Sequence, residues 1–177
     1  MYLTRRGFLH YSGSAAIASC FASSALARGT EQRTLSFVHT HTGETLTASY
    51  VQDGCHRADC FAQVNRFLRD FRTGEIHPID PELLDVLFDL RTLADRDDAF
   101  QIISGYRSPD TNSQLQRKSS GVAKRSLHMD GKAVDIRLTG FPTRKLRDLA
   151  LSLRRGGVGY YSSSDFLHVD TGRIRFW

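Results

Sequence analysis

The chain is poor in cysteine, with three in 177 residues, and has only seven histidines, four prolines and one tryptophan. So few thiols cannot staple a disulfide-dense scaffold, and the fold must rest on an apolar core. A hydrophobic share of 40% is ordinary for a protein with such a core, and the length suits one domain with at most an appendage. No internal repeat and no low-complexity linker interrupts it. Nor is there a long uninterrupted apolar run. The one extended apolar stretch, Tyr11 to Leu26, is too short and too rich in Ser and Gly to make a good membrane-spanning helix.

That stretch has another meaning. Arg5-Arg6 precedes Gly7-Phe8-Leu9, and the segment ends in Ala25-Leu26-Ala27, a small-x-small cleavage pattern. The paired arginines followed by Phe-Leu resemble a twin-arginine export signal. Residues 1–27 are therefore expected to be a removed leader and residues 28–177 a single domain, destined for the periplasm or the extracytoplasmic cell envelope. A competing processing site, Ile17-Ala18-Ser19-Cys20, matches a lipoprotein box, and only lipidation of Cys20 would tie the protein to a membrane. After removal of the leader Cys55 and Cys60 remain. In an oxidising compartment they are either a small-loop disulfide or two free thiols, and spacing does not decide between them.

Acid is in deficit. Lys and Arg number 24 against 19 Asp and Glu, a formal net charge of +5. Basic residues gather between Arg137 and Arg155, and Arg117, Lys118, Lys124 and Arg125 cluster in a polar, glycine-punctuated segment read as a loop over 116–124. An exported protein meets no nucleic acid, so the expected partner is a polyanionic cell wall, with attraction that weakens with salt. Oligomeric state is left open.

Alternating patterns predict strands over 34–39 and 45–50 joined by a turn at His41-Thr42-Gly43-Glu44. Phe61, Val64, Phe67, Leu68 and Phe71 recur at helical spacing. Asp80-Pro81-Glu82 opens a second helix, with Leu83, Leu84, Leu87, Phe88 and Leu90 as its buried stripe. Strands follow over 99–103 and 133–138, then a helix capped by Thr143, then three short strands around Tyr160, Val169 and Ile174. Helices early and late around a central antiparallel sheet give an α+β domain.

The chemistry is concentrated in two phrases, Ser126-Leu-His128-Met-Asp-Gly131-Lys-Ala133-Val-Asp135 and Phe166-Leu-His168-Val-Asp170-Thr-Gly172. Two imidazoles and one carboxylate form the donor set of a catalytic zinc site with a fourth position open. A lone His in an apolar strand is more often a packed core residue. His39 and His41 also alternate, but they flank a turn with only Glu44 as a nearby acid; His56 and His77 read as exposed loop residues.

Ser126-x-His128-x-x-Gly131-x-Ala133-x-Asp135 matches at each fixed position the signature of the zinc D-Ala-D-Ala carboxypeptidase and murein endopeptidase group, the LAS-type peptidases. Ile103-Ser-Gly-Tyr-Arg107-Ser, Gly156-Gly-Val-Gly-Tyr-Tyr161 and Phe166–Gly172 resemble further segments of that group, nearest in order and spacing to the murein endopeptidase K branch, over roughly Thr34 to Trp177. The resemblance implies a hedgehog/D-Ala-D-Ala-peptidase-like fold, a Zn2+ ion held by His128, Asp135 and His168, and hydrolysis of amides in peptidoglycan cross-link peptides. It implies that Arg107 binds a substrate carboxylate or supports the oxyanion and that Ser126 contacts the bound peptide. Several relatives carry Glu three residues before the last His, where this chain has Asp165; Asp170, on the strand face of His168, is the other candidate general base. A D,D- or L,D-carboxypeptidase and an inactive wall-binding module are the alternative functions.

Overall fold

In the computed structural model, residues 32–118 and 121–177 are described. The expected leader, with Cys20, lies outside the described residues, so the division at residue 27 is not addressed by the fold. None of the described helices is long and apolar enough to cross a membrane.

Strands β1 (Arg33–His39) and β2 (Thr45–Gln52) form the antiparallel hairpin expected from their alternation. Leu35, Phe37 and His39 point inward at every second position. The two-residue β3 (Cys55–His56) extends the hairpin edge. Helix α1 (Ala58–Phe67) buries Cys60, Val64 and Phe67. Helix α2 (Pro81–Leu93) starts as its sequence dictates: the Asp80 carboxylate accepts from the Glu82 amide at 3.1 Å, and Pro81 stands where no amide is needed. Its Leu83, Leu84, Leu87 and Leu90 are fully buried.

After β4 (Phe100–Ser104) comes a helix that the polar sequence had concealed. Helix α3 spans Pro109–Lys118, so the segment read as a loop from 116 is helical as far as 118. Only Thr111 and Asn112 are buried on it, which explains the missing apolar stripe. Strand β5 (Ala133–Leu138) leads to α4 (Thr143–Leu153), whose cap is Pro142 and not Thr143. Strands β6 (Gly157–Tyr161), β7 (Phe166–Asp170) and β8 (Arg175–Phe176) close the chain. Cys55 and Cys60 are free thiols, one exposed and one buried.

All eight strands join one sheet in the order β3-β2-β1-β4-β5-β7-β6-β8. The domain is α+β, as expected, but the sheet is mixed: β1 pairs β4 and β6 pairs β8 in parallel. The first exception arises because the chain runs through α1 and α2 before entering β4 beside β1, and such a crossover returns the chain in the same direction. Val134, Ile136 and Leu138 of β5 and Leu167 and Val169 of β7 join the core with the buried faces of α1, α2 and α4. Strand alternation therefore turns Asp135, His168 and Asp170 toward the opposite face.

Candidate metal centre

Register aligns the site. Asp135 pairs with Ser104 on one side and His168 on the other, and a β-bulge between Ile102 and Ser104 sets that alignment. Three neighbouring strands thus present Ser104, Asp135 and His168 in one row. His128 arrives from a short 3-10 turn, Leu127–Asp130, ended by Gly131 in the left-handed region at φ 65. A Cβ on Gly131 would lie 2.1 Å from the Pro78 carbonyl oxygen, so the turn has room only for glycine.

The turn and the strands bring three lone-pair atoms together. His128 Nε2 lies 3.2 Å from Asp135 Oδ1, His168 Nδ1 lies 2.9 Å from the same oxygen, and the two nitrogens are 3.2 Å apart. His128, Asp135 and His168 are all buried, and among the described residues they are the one His/Cys/Asp/Glu group so arranged. Tetrahedral bonds of about 2.0–2.1 Å would space ligand atoms about 3.3 Å apart, so the separations fit a zinc-sized cation.

The outer contacts set both tautomers. His128 Nδ1 donates to the Gly105 carbonyl at 2.7 Å, since a carbonyl can only accept, which leaves the Nε2 lone pair facing the centre. His168 Nε2 donates to Asp170 Oδ2 at 2.9 Å, which leaves its Nδ1 lone pair facing the same point. Asp170 is itself engaged on every side. Its Oδ1 accepts from the Gly157 and Gly172 amides at 3.0 and 2.9 Å, and Arg175 donates to both oxygens.

Charge follows this geometry. Burial alone would raise the Asp135 carboxyl, but His128, His168 and Arg107 hold it far below the usual carboxylate range. Asp170 is likewise held low against its burial, by His168, Arg175 and the Gly172 amide. Burial lowers His128. For His168 the same burial is outweighed by Asp135 and Asp170, which raise it.

The other expected residues fall as follows. Ser126 is buried and lines the cavity beside the cluster. Arg107 also lines it, but its guanidinium donates to Asp135 Oδ2 and, through Nε, to Ser104 Oγ at 2.8 Å. It braces a carboxylate of the protein itself. Asp165 is not brought to the cluster. It sits in the β6–β7 turn at φ 48, with its side chain 66% exposed and 3.8 Å from Arg137, in a separate depression beside Phe141 and Pro142. The left-handed turn directs it away. His39 is buried between Phe67 and Phe71, and His41 stacks on Phe71; neither joins the cluster. His56 is exposed as expected, whereas His77 is half-buried and stacks on Tyr106.

A cavity of about 580 Å³ opens beside the cluster. Asp135 is the only carboxylate among the described residues lining it; the remainder of its polar wall includes His41, Tyr161 and four arginines, Arg72, Arg107, Arg125 and Arg175. Trp177 forms an aromatic wall, 5.3 Å from the His168 ring and bonded through Nε1 to the Tyr161 hydroxyl. Arg72, Arg175 and Trp177 were not singled out in the sequence. Arg175 had a partial signal, as the second of two arginines, after Arg173, that follow the Thr171-Gly172 turn. Arg72 had none.

A family model described as peptidoglycan L,D-endopeptidase MepK matches residues 27–177. The chain belongs to this family. Among its relatives, the peptidoglycan L,D-endopeptidase MepK of Escherichia coli (strain K12) is 43% identical over 145 residues, covering 82% of this chain and 80% of that protein. The probable peptidoglycan L,D-endopeptidase MepK of Haemophilus influenzae is 41% identical over 146 residues, covering 82% and 78%. The resemblance drawn from the motifs is borne out at the level of the MepK family. A crystal structure of the Serratia marcescens L-Ala D-Glu endopeptidase ChiX is similar over 62% of this chain and 86% of its own, with 16% identity and a TM-score of 0.38.

Proposed function

We propose that this chain is an exported zinc-dependent endopeptidase that hydrolyses an amide bond in the cross-link peptides of peptidoglycan. The observation that carries this is the convergence of His128 Nε2, Asp135 Oδ1 and His168 Nδ1, each with its lone pair aimed at one point by a fixed outer contact. Membership of a family whose relatives are named peptidoglycan L,D-endopeptidases supplies the substrate class. Delivery to the periplasm or outer cell envelope rests on the twin-arginine-like leader.

A bound zinc ion supplies a polarised scissile carbonyl and an acidified water. The chain's own residues hold that arrangement. Arg107 fixes Asp135 so that Oδ1, and not Oδ2, faces the imidazoles. Asp170 and Arg175 fix the His168 ring from behind. Ser126 lies on the cavity wall within reach of a peptide entering beside His128, and Trp177 screens His168 from solvent.

Neither expected acid stands free to take a proton: Asp165 faces away, and Asp170 has both oxygens engaged. That arrangement is what favours the wall-binding module as the second candidate function. The deciding experiment digests purified peptidoglycan with the zinc-loaded and the chelated mature domain and identifies new termini by mass spectrometry. Cross-link cleavage by the loaded form alone is expected. Release of single terminal residues would make the protein a carboxypeptidase, and binding with no new termini would make it a wall-binding module.

A further inference from the structure

Of the four guanidiniums on the cavity wall, two are occupied. Arg107 is bonded to Asp135 and Ser104, and Arg175 to Asp170. Neither can turn to a ligand without releasing a residue of the candidate metal centre. Arg72, which is exposed, and Arg125 make no side-chain hydrogen bond or close ion pair with any described residue, although the Asp70 carboxylate attracts Arg72 from a distance. Only Arg72 is held in place.

Its hold comes from two sources, a ring against the side chain and a carboxylate on the backbone. The guanidinium carbon lies 4.1 Å from the centre of the Phe71 ring, and that ring is stacked on His41, with centres 4.3 Å apart and planes 12° from parallel. A guanidinium beside an aromatic ring is attracted by the ring's quadrupole and loses side-chain freedom, while its N–H edges remain available. The backbone is pinned as well. The Arg72 amide donates to Asp70 Oδ1 at 3.0 Å, and Asp70 Oδ2 accepts from the amide and hydroxyl of Ser108 at 2.9 and 2.8 Å. Asp70 is buried and also closes its own turn, taking the Gly74 amide on its carbonyl at 2.7 Å. The turn that presents Arg72 is thus tied to the residue that follows Arg107.

We propose that Arg72, held by Phe71 and by the Asp70–Ser108 tie, is the residue that binds a free carboxylate of the substrate peptide in this cavity. It takes one of the two roles that the family resemblance implied for Arg107, the binding of a substrate carboxylate. This rests on the endopeptidase function proposed above and names the substrate feature that the site selects: an acidic peptide with a carboxylate flanking the cleaved bond, gripped by two parallel N–H donors. Arg72 lines the cavity with its guanidinium already oriented on the Phe71 ring, which lowers the ordering cost of binding. Arg125 also lines the cavity, but no described residue gives it a ring or carboxylate to orient it.

The test uses a purified cross-linked muropeptide dimer and the same dimer with its carboxylates converted to amides. Cleavage is followed at steady state for the zinc-loaded wild type, Arg72→Gln and Arg72→Lys, and binding to the same proteins without zinc is measured by calorimetry. Wild type should prefer the acidic dimer. In Arg72→Gln that preference should fall about 10–100-fold, carried by KM more than by kcat, because a charge-assisted contact to a remote group is lost. Arg72→Lys should keep part of it, since charge survives without the fork. An unchanged preference in Arg72→Gln, in cleavage and in binding alike, overturns the proposal. Should wild type cleave neither dimer yet bind the acidic one through Arg72, the endopeptidase function fails and the carboxylate site stands. Cleavage with no dependence on Arg72 gives the reverse result.

Discussion

Arg107 and Asp135 divide one carboxylate between two tasks: the guanidinium holds Oδ2, while Oδ1 sits 2.9 Å from His168 and 3.2 Å from His128. Substituting Arg107 should therefore disturb metal binding as well as turnover. A lysine cannot bridge Ser104 and Asp135 at once. Arg107→Lys is expected to lose about 10–100-fold in zinc affinity, the usual cost of removing an outer contact to a ligand. Competition with a calibrated chelator measures it, and wild-type affinity in the variant would return Arg107 to a purely substrate-facing role.

His128→Ala and His168→Ala each remove one of three donors. Both variants should stay folded, because the hydrophobic core lies on the other face of the sheet. Zinc at about 100 times its Kd stabilises a folded protein by about 2.7 kcal/mol. Thermal melts with and without a chelator should thus differ for wild type and coincide for either variant. A chelator-sensitive melt in both alanine variants would show that zinc binds elsewhere.

Asp165 and Asp170 should part sharply. Asp165→Asn changes an exposed turn residue and is expected to leave zinc content and stability within about 0.5 kcal/mol of wild type. Asp170→Asn leaves Arg175 and the His168 ring without their buried carboxylate, which should cost about 2–4 kcal/mol and weaken zinc binding. Denaturant titration and metal analysis of the two variants side by side give the answer. Equal effects would mean that the orienting role assigned to Asp170 is wrong.

The Asp70 carboxyl is held below its ordinary range. Burial opposes this, but the polar groups of Thr111, Ser108 and Arg72 around it prevail. A depressed folded value adds stability above the unfolded value of about 3.9, and that stability is lost as pH falls through the folded value. Asp70→Asn should accordingly be less stable than wild type by about 1.5–3 kcal/mol at pH 7, with the gap narrowing below about pH 4. Urea denaturation at pH 7 and at pH 3 tests the sign; a gap that is constant or widens toward acid contradicts it.

The sequence by itself determined a good deal. Period-two alternation located β1 and β2, Asp80-Pro81 located the start of α2, and its leucine stripe located the core, because these signals are local and follow from backbone geometry. The metal-donor candidates were legible for a different reason: the segments around His128, Asp135 and His168 resemble those of a known peptidase group, and the turn at Gly131 that admits only glycine accounts for the spacing of the first two. Helix α3 escaped because it buries almost nothing and so carries no apolar period. The parallel pairing of β1 with β4 escaped because it depends on how two helices cross the sheet. Tertiary structure alone decided the partners of each charge. Asp165 stands three residues before His168 and Asp170 two after it, yet a left-handed turn sends the first to solvent and strand alternation buries the second behind the imidazole. Arg107 and Arg72 look alike in a string of letters. Only the register of β4 against β5, which sets Asp135 beside Ser104, occupies the first and leaves the second free, since a guanidinium's role is fixed by which carboxylate lies within its reach.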